Sequence, residues 1–565
     1  MEQQYTPMKK HIAIAVFLTL IGLGFRLFLA LRLPSDEADD GRIYARLAVN
    51  VLEHRSYSLN TEEPYSPTLI RVPGYPLFIA GCYAAFGSGN NQAVRVIQAV
   101  LDTITCWLIA LLAVGWSPED WPPEKRHALQ LIALGLAVSF PFLAIYVATI
   151  LTETCATLFI TGCALAASLA IRSDSNRRAI AWWAISGLFA GLATMFRPDS
   201  VIFIAAAGLA LLVPVGYQMI KEAGWFNRQT TDRQFEYRPV LIRTIVSALA
   251  LFIGFVAVLT PWTVRNERVL GIFQPIAPRH ANMPGEFVPT GYMDWLRTWV
   301  DDLKYTESME FPLDVGPLHI EKVPESAFDS AAEREQVAAL IARYNGTPIT
   351  NKVELQNAGV QNDAAGETPK KGIEQPAATD GNAEDAEEDS ESSSDDDEDS
   401  EAPSSEAPAQ FAGEMTAEID AGFEEIARER ISRHPFRYYL LIPLRRASSL
   451  WFDTHSQYYP FQGELFPLSD LNTDLRQQYW LPMFALLTLL YTLLGLAGIW
   501  LMWTNRTSRR WLLLVTVLII PRLVFLATLE NPEPRYVVEF FGFVLAAGSI
   551  SAVELIHRLR RLRRA

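Results

Sequence analysis

Four short stretches of this chain set an arginine beside turn-forming residues: Arg71-Val72-Pro73, Arg197-Pro198-Asp199, Pro261-Trp262 with Arg265-Asn266 just after it, and Pro534-Arg535-Tyr536. A guanidinium is always charged and meets phosphate oxygens in a two-pronged fork, so arginines gathered in one place suit the capture of a phosphate or pyrophosphate. An acid suited to proton transfer stands elsewhere. Asp40 precedes a stretch from Gly41 to Arg55 in which Ile43, Leu47 and Val51, with Tyr44 and Ala48, recur at helical spacing. Asp40 and Tyr44 are four residues apart and share one face of that helix. Asp40 has two readings from spacing alone: a helix cap that satisfies orphan amides, or a general base or metal ligand facing a cavity.

These groups need a scaffold, and the composition says which kind. Half of the 565 residues are hydrophobic and 11% are aromatic, in long unbroken blocks. A helix crosses a bilayer with roughly 20 mainly apolar residues. Ten spans meet or approach that length, at about residues 12–33, 94–115, 128–148, 150–171, 180–197, 199–217, 243–262, 479–503, 510–529 and 535–556. The first follows Lys9 and Lys10, and no small-residue cleavage site comes after it, so it reads as a retained helix. The expectation is an all-α polytopic membrane protein.

Cationic loops stay on the cytoplasmic side. Starting inside, the ten spans put every short basic segment there: Lys9 and Lys10, Lys125 and Arg126, Arg172 with Arg177 and Arg178, Lys221 to Arg243, Arg506 to Arg510, and Arg558 to Arg564. Two large segments then face outward, about 34–93 and 263–478. They divide the chain into an N-terminal membrane core over 1–262, a large outer loop over 263–478 and a C-terminal membrane part over 479–565. Gly74 to Phe86 is apolar but too short to cross comfortably and reads as a helix at the interface. Phe436 to Leu450, which mixes aromatics with Arg437, Arg445 and Arg446, reads the same way. Within the outer loop, residues 352–409 are expected to be disordered, being rich in Ala, Glu, Asp, Ser and Pro. Glu384 to Glu401 holds 12 acids and no base, and without them the formal charge of -15 falls to -3. The acidity is therefore local. It points to no nucleic-acid partner, and Asp395 to Asp399 lacks the glycine of a calcium loop.

Charges inside a spanning helix are costly and face a cavity or a partner. Arg26, Asp102, Arg522 and Glu539 all fall in the outer halves of their spans, while the inner halves are nearly free of charge. Either they pair with each other or they line a polar cavity open to the outside, and Tyr44, Asp102 and Asn266 are expected at that cavity. Arg32 suits headgroup contact. Four cysteines and eight scattered histidines show neither a disulfide framework nor a metal-binding spacing.

Taken in order, Asp40-x-x-x-Tyr44-x-x-Leu47-Ala48, Arg71-Val-Pro-Gly-Tyr-Pro-Leu, Leu151-Thr-Glu153, Gly191-Leu-Ala-Thr-Met-Phe-Arg197-Pro198, Pro261-Trp-Thr-Val-Arg265-Asn266 and Arg535-Tyr536 resemble the C-fold membrane glycosyltransferases. Within them the chain looks most similar to bacterial relatives of protein O-mannosyltransferases and of lipid A aminoarabinose transferases, over about residues 12–300 and 430–556. The resemblance implies a sugar donor carried on polyprenyl phosphate, inversion at the anomeric carbon, and a glycan, lipid or protein acceptor met at the membrane. It implies an essential acid in the first outer loop, which the tyrosine spacing places on Asp40, and a second acid at Glu153. Family members often carry two adjacent acids there, whereas Gly41 follows Asp40 here; Asp36 and Glu37 are the substitutes in reach. Some relatives hold a divalent metal with such acids and others need none. Arg71, Arg197, Arg265 and Arg535, with Tyr536, would hold the donor phosphate. The rivals are a transporter or flippase, which needs polar groups at both membrane depths, and a noncatalytic scaffold, which leaves the arginines unexplained.

Overall fold

The computed structural model describes residues 2–33, 40–222, 237–278, 280–313, 315–346, 413–454, 456, 458–459 and 475–563. The acids Asp36, Glu37 and Asp39 and the acidic tract over 352–409 lie outside the described residues. Among the described residues the chain is helical, without strands; a single antiparallel bridge pairs Ser58 with Pro67.

The protein is an integral membrane protein. Nine described helices are long and apolar enough to cross a bilayer, and a tenth span is a bent pair. The helices are α1 (Glu2–Arg32), α2 (Asp40–Glu53), α3 (Gly74–Phe86), α4 (Asn91–Trp116), α5 (Pro123–Ser139), α6 (Pro141–Ala144), α7 (Glu153–Arg172), α8 (Asn176–Phe196), α9 (Ile202–Glu222) and α10 (Tyr237–Leu270). They continue with α11 (Thr290–Arg297), α12 (Leu303–Met309), α13 (Ala331–Gly346), α14 (Ala417–Arg433), α15 (Ile442–Phe452), α16 (Leu475–Thr504), α17 (Arg510–Ala527) and α18 (Val538–Leu562).

Two expectations from the sequence need correction. The span expected over 128–148 is not one straight helix: α5 stops at Ser139, Phe140 is extended, and Pro141 to Ala148 turns away by 56°. Pro141 has no amide hydrogen and its ring disfavours helical backbone at the residue before it. Conversely, Pro261 does not end α10, which runs on to Leu270, so Arg265 and Asn266 sit on its last turns. One missing hydrogen bond is tolerated where neighbouring helices support the backbone.

The bundle packs by close approach of small residues. A Cβ added at Gly187 on α8 would lie 1.9 Å from the Leu251 carbonyl oxygen of α10, so the two backbones touch there. The innermost helix is α18, with 89% of its apolar window buried. Outside the bundle, α11, α13 and α14 enclose Tyr292, Trp295, Trp299, Tyr344 and Phe423. This unit is tied to the membrane helices by Arg297, whose Nε donates to Glu530 at 2.6 Å. Arg446 of α15, expected at an interface, is instead buried and donates to the carbonyls of Val300 at 2.6 Å and Arg297 at 2.8 Å. Phe436, Tyr439 and Leu444 nearby remain exposed, as an interfacial segment requires.

Candidate active site

Four helix starts converge at the end of the bundle that carries the unit of α11, α13 and α14, and each brings an acid in its first turn. Asp40 opens α2, Glu153 opens α7, Asp199 sits in the tight turn Pro198–Val201 that leads into α9, and Glu539 lies in the first turn of α18. Helix starts carry partial positive charge, which favours acids there and favours bound anions. The break at Phe140 and Pro141 contributes to this arrangement: it turns the chain early, so that the buried stretch Phe142 to Ala148 leads directly to Glu153. Gln98 of α4 holds that stretch, donating to the carbonyls of Val147 at 3.3 Å and Thr149 at 2.8 Å.

Four arginines interleave with the four acids. Asp40 accepts from Arg71 Nη2 at 3.1 Å on Oδ1 and from Arg535 Nη2 at 2.9 Å on Oδ2. Arg535 Nε stands 3.9 Å from Glu153 Oε1. Glu153 Oε1 accepts from Arg197 Nη1 at 2.6 Å, and Arg197 Nε reaches Asp199 at 3.4 Å and Glu539 at 3.5 Å. Arg522 closes the chain on Asp199 at 2.6 Å and Glu539 at 2.9 Å. Four positive and four negative charges thus alternate in one network. It is graded in depth: Arg522 and Glu539 are fully buried, whereas the side chains of Arg71 and Asp40 are 23% and 22% exposed.

Aromatic rings pin the guanidinium groups. Arg535 lies over Tyr458 at 4.5 Å and Tyr536 at 5.2 Å, and Arg197 over Tyr536 at 5.0 Å. Arg535 Nε is buried and has no hydrogen-bond partner among the described residues. A buried donor left unpaired is costly, and a ligand oxygen would satisfy it.

Asp40 is ionised at neutral pH. Burial pushes its carboxyl up, but Arg535 and then Arg71 outweigh it and hold the group down at about 2. Its ion pairs therefore contribute fully above the ordinary carboxylate range and are lost only as pH falls toward that value. Tyr44, one turn along α2, has its ring edge on Tyr75 at 5.2 Å; burial and then Asp40 push its hydroxyl above the usual range, so it stays neutral.

Not every expected residue joins the network. Asp102 is buried and salt-bridged to Arg26 at 2.5 Å, with Arg26 also donating to the carbonyls of Ala137 and Val138. This pair locks α1 to α4 and the end of α5, the pairing outcome rather than the cavity one. Arg265 donates to the Thr68 carbonyl at 2.7 Å and the Tyr57 carbonyl at 3.5 Å. Tyr57 in turn donates to the Arg71 carbonyl at 3.1 Å, so Arg265 shapes the loop that presents Arg71. Asn266 is fully buried and donates to the Gln274 carbonyl at 2.7 Å, fastening the chain after α10. Gly74 completes the positioning of that loop: a Cβ there would lie 2.4 Å from the Met195 carbonyl oxygen, two residues before Arg197.

Asp199, Tyr458 and Glu533 were not read from the sequence as site residues. Asp199 carried a signal, an acid two residues after Arg197 at a helix start. Tyr458 carried none, since its contact with Arg535 spans 77 residues of chain. Glu533 is buried and accepts from Ser456 Oγ at 2.6 Å, and burial pushes its carboxyl up to about 7 against the pull of Arg535. A divalent metal does not fit the described residues. Both oxygens of Asp40, Asp199 and Glu539 already face guanidinium groups, and Glu153 bridges Arg197 and the Thr152 hydroxyl. No three acids, histidines or cysteines among the described residues converge on one point.

Residues 67–226, the stretch that includes Arg71, Glu153, Arg197 and Asp199, match the family described as dolichyl-phosphate-mannose-protein mannosyltransferase. No curated protein matches the chain. Among solved structures, the oligosaccharyltransferase AglB from Archaeoglobus fulgidus, in complex with an inhibitory peptide and a dolichol-phosphate, is similar at 12% identity and TM-score 0.43. That similarity covers 98% of this chain and 51% of the archaeal one. ArnT from Cupriavidus metallidurans, bound to undecaprenyl phosphate, is similar at 12% identity and TM-score 0.35, over 96% of this chain and 78% of that one. The chain thus spans about half the length of the archaeal protein, and likenesses at these scores assign neither a substrate nor a site.

Proposed function

We propose that this protein is a polytopic membrane glycosyltransferase that moves a sugar from a polyprenyl-phosphate carrier to an acceptor at the outer face of the inner membrane of a bacterium. The observation that carries this reading is the buried network of alternating arginines and acids at converging helix starts, with Asp40 at its exposed end between Arg71 and Arg535. The match of residues 67–226 to a family of lipid-phosphate-dependent mannosyltransferases supports it.

In the proposed reaction the donor's phosphate meets Arg71 and Arg535, and its polyprenyl tail stays in lipid. Asp40 takes the proton from an acceptor hydroxyl or amine as that atom attacks the sugar C1 opposite the phosphate. A new bond forms at C1, the C1–O bond breaks, and its electron pair goes to the phosphate. The departing phosphate becomes more negative as Asp40 becomes neutral, so the local charge is unchanged across the step. Arg535, pinned by Tyr458 and Tyr536, stabilises the leaving group without having to reorganise. Glu153 acts on the reaction through Arg197 and Arg535.

Two measurements test this. In a transfer assay with reconstituted protein and a polyprenyl-phosphate sugar, Arg535→Ala should weaken donor binding strongly, and Arg535→Lys, which keeps the charge but loses the fork, should weaken it partly. Unchanged affinity in both removes Arg535 from the site. For the orientation, an impermeant thiol reagent on intact cells should label a cysteine placed at Asn362 and miss one at Asn227; the reverse pattern inverts the topology.

A further inference from the structure

In the structure, the base and the phosphate binders of the proposed reaction are bound to each other. Asp40 Oδ1 and Oδ2 each accept from a different guanidinium, Arg71 at 3.1 Å and Arg535 at 2.9 Å. Arg71 is the most accessible of the four arginines, with its side chain 23% exposed against 11% for Arg535, 10% for Arg197 and none for Arg522. It is the cation at the open end of the network.

The Arg535 guanidinium lies over the rings of Tyr458 and Tyr536, and the Tyr57 hydroxyl holds the Arg71 backbone by donating to its carbonyl at 3.1 Å. We infer that the donor phosphate and Asp40 compete for Arg71 and Arg535, so that donor binding itself frees an Asp40 oxygen and creates the base only in the donor-loaded enzyme. This rests on the glycosyltransferase reading above.

Three observations make the exchange feasible. The network is neutral, four arginines against four acids, so a phosphate enters without facing an excess of negative charge. The starts of α2, α7 and α18 converge there and favour one more anion. The buried Nε of Arg535, without a hydrogen bond, offers a phosphate oxygen a donor that Asp40 does not use. A carboxylate held by two guanidinium groups is a poor proton acceptor, and losing one returns it toward an ordinary carboxylate. Donor binding would therefore precede productive acceptor binding. When the polyprenyl phosphate leaves, the arginines recapture Asp40 and its proton departs to solvent.

The test is binding of a polyprenyl monophosphate, with uncharged polyprenol as control, to wild-type protein, Asp40→Asn and Asp40→Glu in nanodiscs. Asp40→Asn removes the competing charge and should bind the phosphate roughly tenfold tighter while losing turnover. Asp40→Glu keeps the charge and should bind near wild type, and polyprenol should not distinguish the three. Equal or weaker phosphate binding by Asp40→Asn with turnover lost overturns the competition and leaves the glycosyltransferase reading intact. Tighter polyprenol binding also overturns it, because the effect would not belong to the phosphate. Normal turnover by Asp40→Asn removes the Asp40 assignment itself. Should Asp40→Asn fail to assemble, Asp40→Ser removes the same charge and serves the same comparison.

Discussion

Turnover by Asp40→Asn is expected to fall by roughly 10² or more, the usual scale for loss of a general base, while the protein inserts and assembles as the wild type does. Asparagine caps a helix about as well as aspartate but takes no proton, so a capping role would leave this variant nearly silent and make Asp40→Ala cost about 1 kcal/mol of stability. In the structure both carboxylate oxygens accept from guanidinium groups, which is not the contact of a helix cap. With Asp40 held down at about 2, its ionisation should not limit donor capture anywhere near neutral pH. Near-normal transfer by Asp40→Asn, measured beside intact assembly on size-exclusion chromatography, would sink the assignment.

The second large effect lies at the buried end of the network. Arg522 is fully buried and is the partner of Asp199 at 2.6 Å and Glu539 at 2.9 Å. Arg522→Met keeps much of the volume and removes the charge, leaving the buried Glu539 and the partly buried Asp199 to share Arg197 alone. Breaking a buried ion pair from one side costs about 3–5 kcal/mol, because the abandoned charge stays out of water. The expected result is a large loss of monodisperse protein and of thermal stability. Adding Glu539→Gln removes one abandoned charge, so Arg522→Met with Glu539→Gln should be more stable than Arg522→Met alone. If the double variant is no better, the role of Arg522 is packing and not charge pairing.

These two residues also mark how far the chain could be read without coordinates. The helical membrane character was legible in blocks of apolar residues, because lipid forces the backbone to satisfy its own hydrogen bonds and a span must be long enough to cross. The short helix Gly74–Phe86 and the helix beginning at Asp40 were legible for the same local reasons, hydrophobic spacing and proline placement. Arg71, Arg197 and Arg535 were legible as candidates because a guanidinium beside a turn at a helix end suits the two-pronged capture of a phosphate at the membrane interface.

Which of these residues meet was decided only in three dimensions. Arg535 and Asp40 are 495 residues apart and Arg522 and Asp199 are 323 apart, and no local pattern encodes such pairings. Asp102 and Arg522 look alike in sequence, each a charge in the outer half of a span, yet Asp102 is locked to Arg26 while Arg522 joins the site. Arg265 and Arg535 look alike too, each following a proline within four residues, yet Arg265 meets backbone carbonyls and Arg535 meets Asp40. The physical reason is that a charge type and its depth set which partners are acceptable, whereas the tertiary packing that brings the starts of α2, α7 and α18 together sets which partner is within about 3 Å, the reach of a hydrogen bond.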